Sequence, residues 1–435
     1  MRKVLIVIAI ILIGAAILSV YFGFRAWRAL KPVIGTPPDD IVKVIEEYEP
    51  PAPGKEPAPF PLNLPKGFSI SLFAKNLVGP RVMKWAPGGW LVVSEMGAGN
   101  VTALRDIDGD GLAETHKSVI RGLDRPHGVT FYEDFIYVAV PTGVWRYKFN
   151  PENAKVPVDS TGSSQGEKIL DLPNGDGHFT RTIEFGAKDS TKETKIPELY
   201  VSIGSSCNVC REQDEERATI MVSDPDGKNA RVFAKGLRNT VFFTIHPITG
   251  EFWGADMGRD WLGDNLPPDE INILKAPVPS TGLRVNNYGW PICYGKNIHD
   301  TNFDPAPSRS GSYGASKNTC DTFEPSFIDI PAHSAPLGLA FFPEEGWPEE
   351  YWFDLLVAFH GSWNRSVPTG YKVVRYDFDK DGKTLLGVQD FLTGFLSQGG
   401  ALGRPVDILI QPGGTILISD DKAGAIYRVI YREDS

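Results

Sequence analysis

Seven basic side chains stand at matching places along the chain: Arg81, His127, His178 with Arg181, Arg238 beside Asn239, His333 and Arg404. Each lies just before, or at the start of, a short apolar run. Guanidinium groups favour bidentate capture of carboxylate or phosphate, and imidazole titrates near neutral pH. Gathered in one place, they would hold a compact polyanion, and His178 could handle a proton. Taken singly, each arginine is more simply read as the partner of a neighbouring carboxylate. For the whole set that reading weakens, because the segments that carry them hold few acids. The chain as a whole has a formal net charge of −10, which argues against nucleic acid as a partner, since phosphate binding needs a basic surface.

A second set is acidic. Asp106-Ile-Asp108-Gly-Asp110-Gly111 places carboxylates at alternate positions and Glu114 at the ninth, as in a Ca²⁺-binding loop, but Lys117 stands at the twelfth position, where such loops carry Glu. A weak structural Ca²⁺ site and a solvated acidic turn fit this pattern equally. A third set is Cys207-Asn-Val-Cys210, which has the spacing of redox and metal motifs. Arg211 rather than His follows it, which speaks against covalent haem, and no second pair completes a four-cysteine zinc site. Four cysteines behind an export-type N-terminus suggest two disulfides, a structural reading that leaves connectivity open.

The elements that must position these residues read as strands. Gly 45 and Pro 35, with 24 Phe, 14 Tyr and 10 Trp in 435 residues, describe a turn-rich β protein. A unit recurs from Leu64-Pro-Lys-Gly-Phe onward: an apolar run, a turn, a second run, and often a third. Copies begin at Arg81, His127, Arg181, Asn239, Leu337 and Val406, with turns such as Ala86-Pro-Gly-Gly and Gln411-Pro-Gly-Gly. Six copies predict an all-β, six-bladed β-propeller over residues 63–435; a β-sandwich needs fewer strands and leaves the repeat unexplained. The first strand of each blade lines the axis, so the basic residues should meet at one mouth of the tunnel. The interval 275–330 reads as an inserted loop that Cys293 and Cys320 would staple.

Residues 4–24 form an uncharged apolar stretch, long enough as a helix to cross a bilayer core of about 30 Å. Ser19-Val-Tyr-Phe-Gly-Phe is a poor cleavage site, which favours an uncleaved transmembrane helix over a signal peptide. Arg2 and Lys3 before it and Arg25, Arg28 and Lys31 after it give no clear orientation. Residues 1–31 are thus expected to be an anchor with its flanks. Residues 32–62, rich in proline, are expected to be a semi-rigid linker. The β domain is expected on the outer, periplasmic or extracellular, side.

Several segments together resemble the glucose/sorbosone dehydrogenases, six-bladed propellers that use pyrroloquinoline quinone (PQQ). They are Gly177-His-Phe-Thr-Arg-Thr-Ile-Glu-Phe, Gly236-Leu-Arg-Asn, Asp256-Met-Gly-Arg-Asp, Pro268-Asp-Glu-Ile-Asn, Asn287-Tyr-Gly-Trp-Pro, His360-Gly-Ser-Trp-Asn-Arg and Gly403-Arg-Pro-Val-Asp-Ile. The anchored, sorbosone-type members look closest. The resemblance implies a general base at His178 and quinone contacts from Arg238, Asn239 and Arg404. It also implies a Ca²⁺ held by the carbonyls of Gly258 and Arg259, which with an arginine would polarise the quinone as it accepts hydride. Arg181, His127 and Arg365 complete the candidate cofactor contacts. Two departures stand out: Val406 replaces a second arginine, and Asn364 or Arg365 occupies the stretch of the family's fifth-blade lysine. The implied substrate is a sugar, sugar aldehyde or polyol, with electrons passed to a carrier in or near the membrane. A Ca²⁺-dependent propeller hydrolase of lactonase type would instead want Glu, Asp and Asn around the axis. A non-catalytic binding propeller has no use for converging cations.

Overall fold

The computed structural model describes residues 54–186, 197–275, 285–305 and 320–432. Their apolar runs form six antiparallel sheets that follow one another in chain order. Blade 1 comprises Pro80–Ala86, Trp90–Glu95, Asn100–Arg105 and Thr115–Ile120, and blade 2 Val129–Tyr132, Phe135–Val140, Gly143–Lys148 and Gly166–Asp171. Blade 3 is built on Ile183–Phe185, Leu199–Ile203, Thr219–Ser223 and Arg231–Lys235, and blade 4 on Thr240–Ile245, Phe252–Asp256, Asp269–Leu274 and Ile328–Ile330. Blade 5 is Pro336–Phe341, Leu355–Phe359, Lys372–Phe378 and Leu385–Leu392. The six-bladed propeller expected from the repeat is the observed architecture.

Blade 6 closes the ring. Its inner three strands, Pro405–Gln411, Thr415–Asp420 and Ala425–Tyr431, come from the C-terminal end of the chain, but its outer strand, Phe68–Ala74, comes from the N-terminal side. This pairing covers a sheet edge that would otherwise stay open. It also draws in part of the expected linker. Leu72 N–H donates to Glu56 O at 2.8 Å, Asn63 N–H donates to Thr393 O at 2.9 Å, and the Phe60 ring lies 6.0 Å from Phe395. Residues 54–63 therefore belong to the ring rather than to a spacer, because Phe60 and Leu62 find apolar partners on blades 5 and 6. The expected anchor and the rest of the linker lie outside the described residues.

The Phe68 ring packs against Trp347, Tyr351, Phe391 and Tyr431 at 4.9–6.3 Å between centroids. Phe68→Ala should lower stability by about 2–3 kcal/mol, from the apolar surface it uncovers. Thermal unfolding checks this; an unchanged melting temperature would make the closing strand peripheral.

The interval 275–330 is more than an insertion. Asn286–Asn287 pairs in parallel with Arg231–Lys235 as a fifth strand of blade 3, and Ile328–Ile330 is the outer strand of blade 4. Cys293 and Cys320 are bonded to each other. Sequence periodicity misses these strands because two or three residues carry no alternation to read.

Adjacent blades are stitched by serines at the ends of second strands. Ser94 Oγ accepts from Val82 N–H within blade 1 and donates to His127 O of blade 2 at 2.6 Å. Ser419 Oγ accepts from Asp407 N–H and donates to Arg81 O at 2.8 Å. The inner strands have register irregularities at the same places, between Pro80 and Met83 and between Pro405 and Ile408. There a hydroxyl replaces the strand-to-strand partner. The first residues of the inner strands are thereby fixed to the neighbouring blade.

Candidate active site

The inner strands all run the same way along the axis, so their first residues reach one end of the ring. Two groups of basic residues stand there.

The first group is built around His178. Its Nδ1 lies 3.0 Å from Ser205 O and 2.9 Å from Ser205 Oγ. Ser205 Oγ gives its own proton to Cys207 O at 2.7 Å. A carbonyl and an already donating hydroxyl can only accept, so Nδ1 carries the hydrogen and Nε2 presents a lone pair. Gly204 makes this close approach possible, because a Cβ there would fall 2.6 Å from both His178 Cβ and Asn239 Oδ1. Burial, reinforced by the positive charge of Arg238, holds the His178 ring down to a pKa of about 3. The ring is a neutral acceptor at any working pH.

The folded chain accordingly binds fewer protons here than the unfolded chain between pH 6.5 and about 3. The contribution of His178 to stability is complete above pH 6.5 and is lost as pH falls through that window. In the cofactor-free chain the ring should stay neutral at pH 5.5, where an unshifted imidazole is roughly nine-tenths protonated. Histidine-ring NMR reads this directly, and a midpoint near the ordinary value would contradict it.

Arg238 stands beside His178 and is held at every guanidinium nitrogen. Nε donates to Asn208 O at 2.9 Å, one terminal nitrogen to Met257 O at 3.2 Å and the other to Asn208 Oδ1 at 2.9 Å. Asp260 lies 3.5 Å from the latter nitrogen and 3.7 Å from His333 Nδ1. Below them Asp256 accepts from the backbone N–H groups of Arg238 and Asn239 and from Thr240 Oγ1. Burial raises its pKa to about 6. Gly258 and Arg259 follow directly; Gly258 N–H donates to Asp269, and Arg259 pairs with Asp300 at 2.6 Å. Ser205 and Asn208, both missed in the sequence, sit in or beside the Cys207–Cys210 loop. That disulfide is formed, which rules out thiolate metal ligation there and leaves the loop to shape the site.

The second group spans blades 5, 6 and 1. Arg404 donates to His360 Nδ1 at 3.0 Å, and His360 Nε2 lies 3.0 Å from Asp421. Asp421 also accepts from Arg81 at 2.7 Å. Burial pushes the Asp421 carboxyl up, but the His360 hydrogen bond and the charges of Arg81 and Arg404 hold it at about 2. His127 is buried beneath them, 3.4 Å from Arg81 and against Phe242, with its pKa lowered by burial and by Arg81.

Not every candidate reaches the mouth. Arg181 is buried and donates to the carbonyls of His178, Thr180 and Pro173, so it shapes the segment that presents His178. Arg217, unnoticed in the sequence, does the same through the carbonyls of His178 and Gly204. Arg365 donates to carbonyls of Asp264, Ala332 and Val367 and to Asn265, tying a blade-5 loop to a blade-4 loop. By contrast Asn364 Nδ2, one residue earlier, is buried without a partner. The expectation that the arginines stand free of acids holds only in part. Asp421 and Asp260 arrive from other segments of the ring, where sequence adjacency cannot reveal them. Five arginines (Arg81, Arg181, Arg217, Arg238 and Arg404) still face only these two carboxylates in direct contact.

Two other features lie apart from this cluster. A cavity of about 220 Å³ occupies the axial channel among later residues of the inner strands, including Lys84, Glu184 and Asp407, and contains none of the basic site residues. The carboxylates of Asp106, Asp108, Asp110 and Glu114 do gather, on the hairpin between the two outer strands of blade 1. Lys55 already lies 2.9 Å from Asp110, and Lys117 turns away to Asn153 O.

A model of the TrAA12-like family matches residues 62–433. The chain belongs to the TrAA12-like family. An uncharacterized protein of Borreliella burgdorferi is 32% identical over 381 residues, covering 86% of this chain and 91% of that protein. A pyrroloquinoline quinone-dependent pyranose dehydrogenase of Coprinopsis cinerea is 27% identical over 358 residues, or 74% of this chain; the match spans only 46% of that relative. Among solved structures, the holo PQQ domain of the C. cinerea pyranose dehydrogenase aligns with a TM-score of 0.67 at 23% identity, covering 87% of this chain and 99% of that one. A Trichoderma reesei structure of the AA12 family aligns with a TM-score of 0.69 at 21% identity, covering 87% and 100%. For this TrAA12-like chain those alignments establish the propeller, and the relatives uphold the resemblance to quinone-dependent sugar dehydrogenases.

Proposed function

We propose that this chain is a PQQ-dependent dehydrogenase that oxidises a sugar, sugar aldehyde or polyol, with His178 as the general base. The observation that carries the reading is the His178 ring, neutral and with Nε2 free, set among buried arginines in excess over their carboxylates. The donor set fits an acceptor-rich anion: Arg81 Nε and Asn364 Nδ2 are buried without partners, and Arg404 contacts only an imidazole and a carbonyl besides its own backbone bond.

PQQ would be held by Arg238, Asn239, Arg404, Arg81 and Asn364, and its Ca²⁺ by the carbonyls of Gly258 and Arg259. When bound, the quinone supplies the hydride acceptor, which no side chain can. His178 Nε2 takes the hydroxyl proton of the substrate; Ser205 keeps the ring in the tautomer that allows this. Arg238 would stabilise negative charge as it develops, and Arg404 would anchor a carboxylate of the quinone. Asp260 and Asn208 hold Arg238 in place.

The hydrolase alternative needs carboxylates around an axial metal. The one such group among the described residues lies on the outer hairpin of blade 1. The same proposal places the ring on the outer side of a membrane, anchored through residues 4–24, with a membrane or periplasmic carrier as electron acceptor. The two formed disulfides and the absence of free cysteine support an oxidising compartment. Among the described residues no helix is long and apolar enough to cross a membrane.

The test is reconstitution of the full chain with Ca²⁺ and PQQ, followed by dye reduction with a panel of aldoses, sorbosone and alcohols. Failure to bind PQQ by titration would refute the proposal. Ser205→Ala removes one acceptor from Nδ1–H but leaves the carbonyl, so kcat should fall about five- to tenfold with KM nearly constant. Equal loss in Ser205→Ala and His178→Ala would show that the hydroxyl does more than orient the ring.

A further inference from the structure

Trp261 and Trp363 are each 67% exposed, whereas among the described residues every other Phe, Tyr and Trp ring except Trp85 is buried or half-buried. Their centroids are 5.2 Å apart and their planes meet at 88°. The pair forms a right-angled corner of aromatic surface in water. Trp261 adopts φ 74°, a left-handed backbone conformation that is unfavourable for a bulky residue. Strain and exposure together are a poor bargain for folding, and such combinations gather at functional sites.

The corner adjoins the candidate site. Trp261 follows Asp260 directly in sequence, and the Trp363 side chain interacts with the Asp260 carboxylate, favouring its charged form. Asp260 in turn lies 3.5 Å from Arg238, beside His178. A carboxylate thus sits at the foot of the aromatic corner, and Arg365 and Asp264 lie on the same loops. An aromatic face with hydroxyl-binding groups at its edge suits a pyranose ring, which offers an apolar C–H face and a polar rim. Leu266 and Val367 are also exposed on these loops, but a corner with a charged foot suits a small ring better than a flat protein surface.

We propose that Trp261 and Trp363 form an outer carbohydrate subsite that stacks the second, unoxidised pyranose unit of an oligosaccharide substrate. This rests on the dehydrogenase reading for the oxidation step but not for saccharide binding.

The experiment uses the full chain with glucose, cellobiose and maltose. Cellobiose or maltose added to the cofactor-free protein should change intrinsic tryptophan fluorescence saturably. Trp261→Gly removes the ring and suits the left-handed backbone, so the variant should fold. It should weaken disaccharide binding at least tenfold, and Trp261→Phe, which keeps an aromatic face, less than threefold. In the reconstituted enzyme the same Trp261→Gly change should raise KM for the better disaccharide at least tenfold while glucose shifts less than threefold. No saturable signal with either disaccharide, or equal binding by Trp261→Gly, would overturn the subsite and favour a protein partner for these rings. Equal losses for glucose and disaccharide would overturn it too. A chain that binds disaccharide through Trp261 yet oxidises no sugar would keep the subsite and refute the dehydrogenase.

Discussion

His178→Ala should reduce kcat by at least a hundredfold, toward the 10²–10⁴ range typical of a lost general base, while PQQ binding changes little. The geometry gives the reason. Nδ1 of this ring is committed to Ser205, and Nε2 is the nitrogen left to accept a proton. Its neighbours Arg181 and Arg217 bond to the carbonyl of His178 rather than to its ring, so removing the ring should leave that backbone in place. His178→Gln retains polarity but not basicity and should be as slow as alanine. Stopped-flow reduction of the bound quinone isolates the step, and equilibrium titration measures the cofactor separately. If binding fell as steeply as turnover, His178 would be a ligand or a structural residue, and the base would have to be sought elsewhere in the cluster.

Arg404→Leu should have the opposite signature. Its guanidinium touches only the ring and carbonyl of His360, while the carboxylate of Asp421 is shared between His360 and Arg81. Arg404 is therefore the cation with most charge to spare for a ligand. Loss of one hydrogen-bonded charge partner in a desolvated site costs about 2–5 kcal/mol, so the Kd for PQQ should rise at least thirtyfold. Turnover of the fraction that still binds should fall much less. Arg404→Lys keeps the charge but not the fork and should fall between the two. Isothermal titration distinguishes them. The backbone N–H of residue 404 is held by Asp420 in either variant, so folding should survive. An unchanged Kd would remove the second basic group from the cofactor site.

A great deal of this was legible in the chain. The repeat of run, turn and run set six blades, because a strand that alternates faces and ends in Gly or Pro is a local property. The starts of all six inner strands were marked by Arg or His, and those residues gather toward one end of the ring, except that Arg181 is buried and turned to backbone carbonyls. What stayed hidden depends on closure. The outer strand of blade 6 comes from residues near position 70 and pairs with residues near 430, a contact no local pattern encodes. The carboxylates that temper the arginines, Asp421 and Asp260, are far in sequence from most of the groups they touch. So is Ser205, which decides the tautomer of His178 from 27 positions away. Residue type alone could not tell Arg404, which has spare charge, from Arg181 and Arg365, which serve backbone carbonyls. The sequence determined which chemical groups the molecule carries and in what order around the axis. The tertiary structure decided which of them are neutralised, which are oriented and which are left open to a ligand, because hydrogen bonding and burial are set by neighbours that only folding brings together.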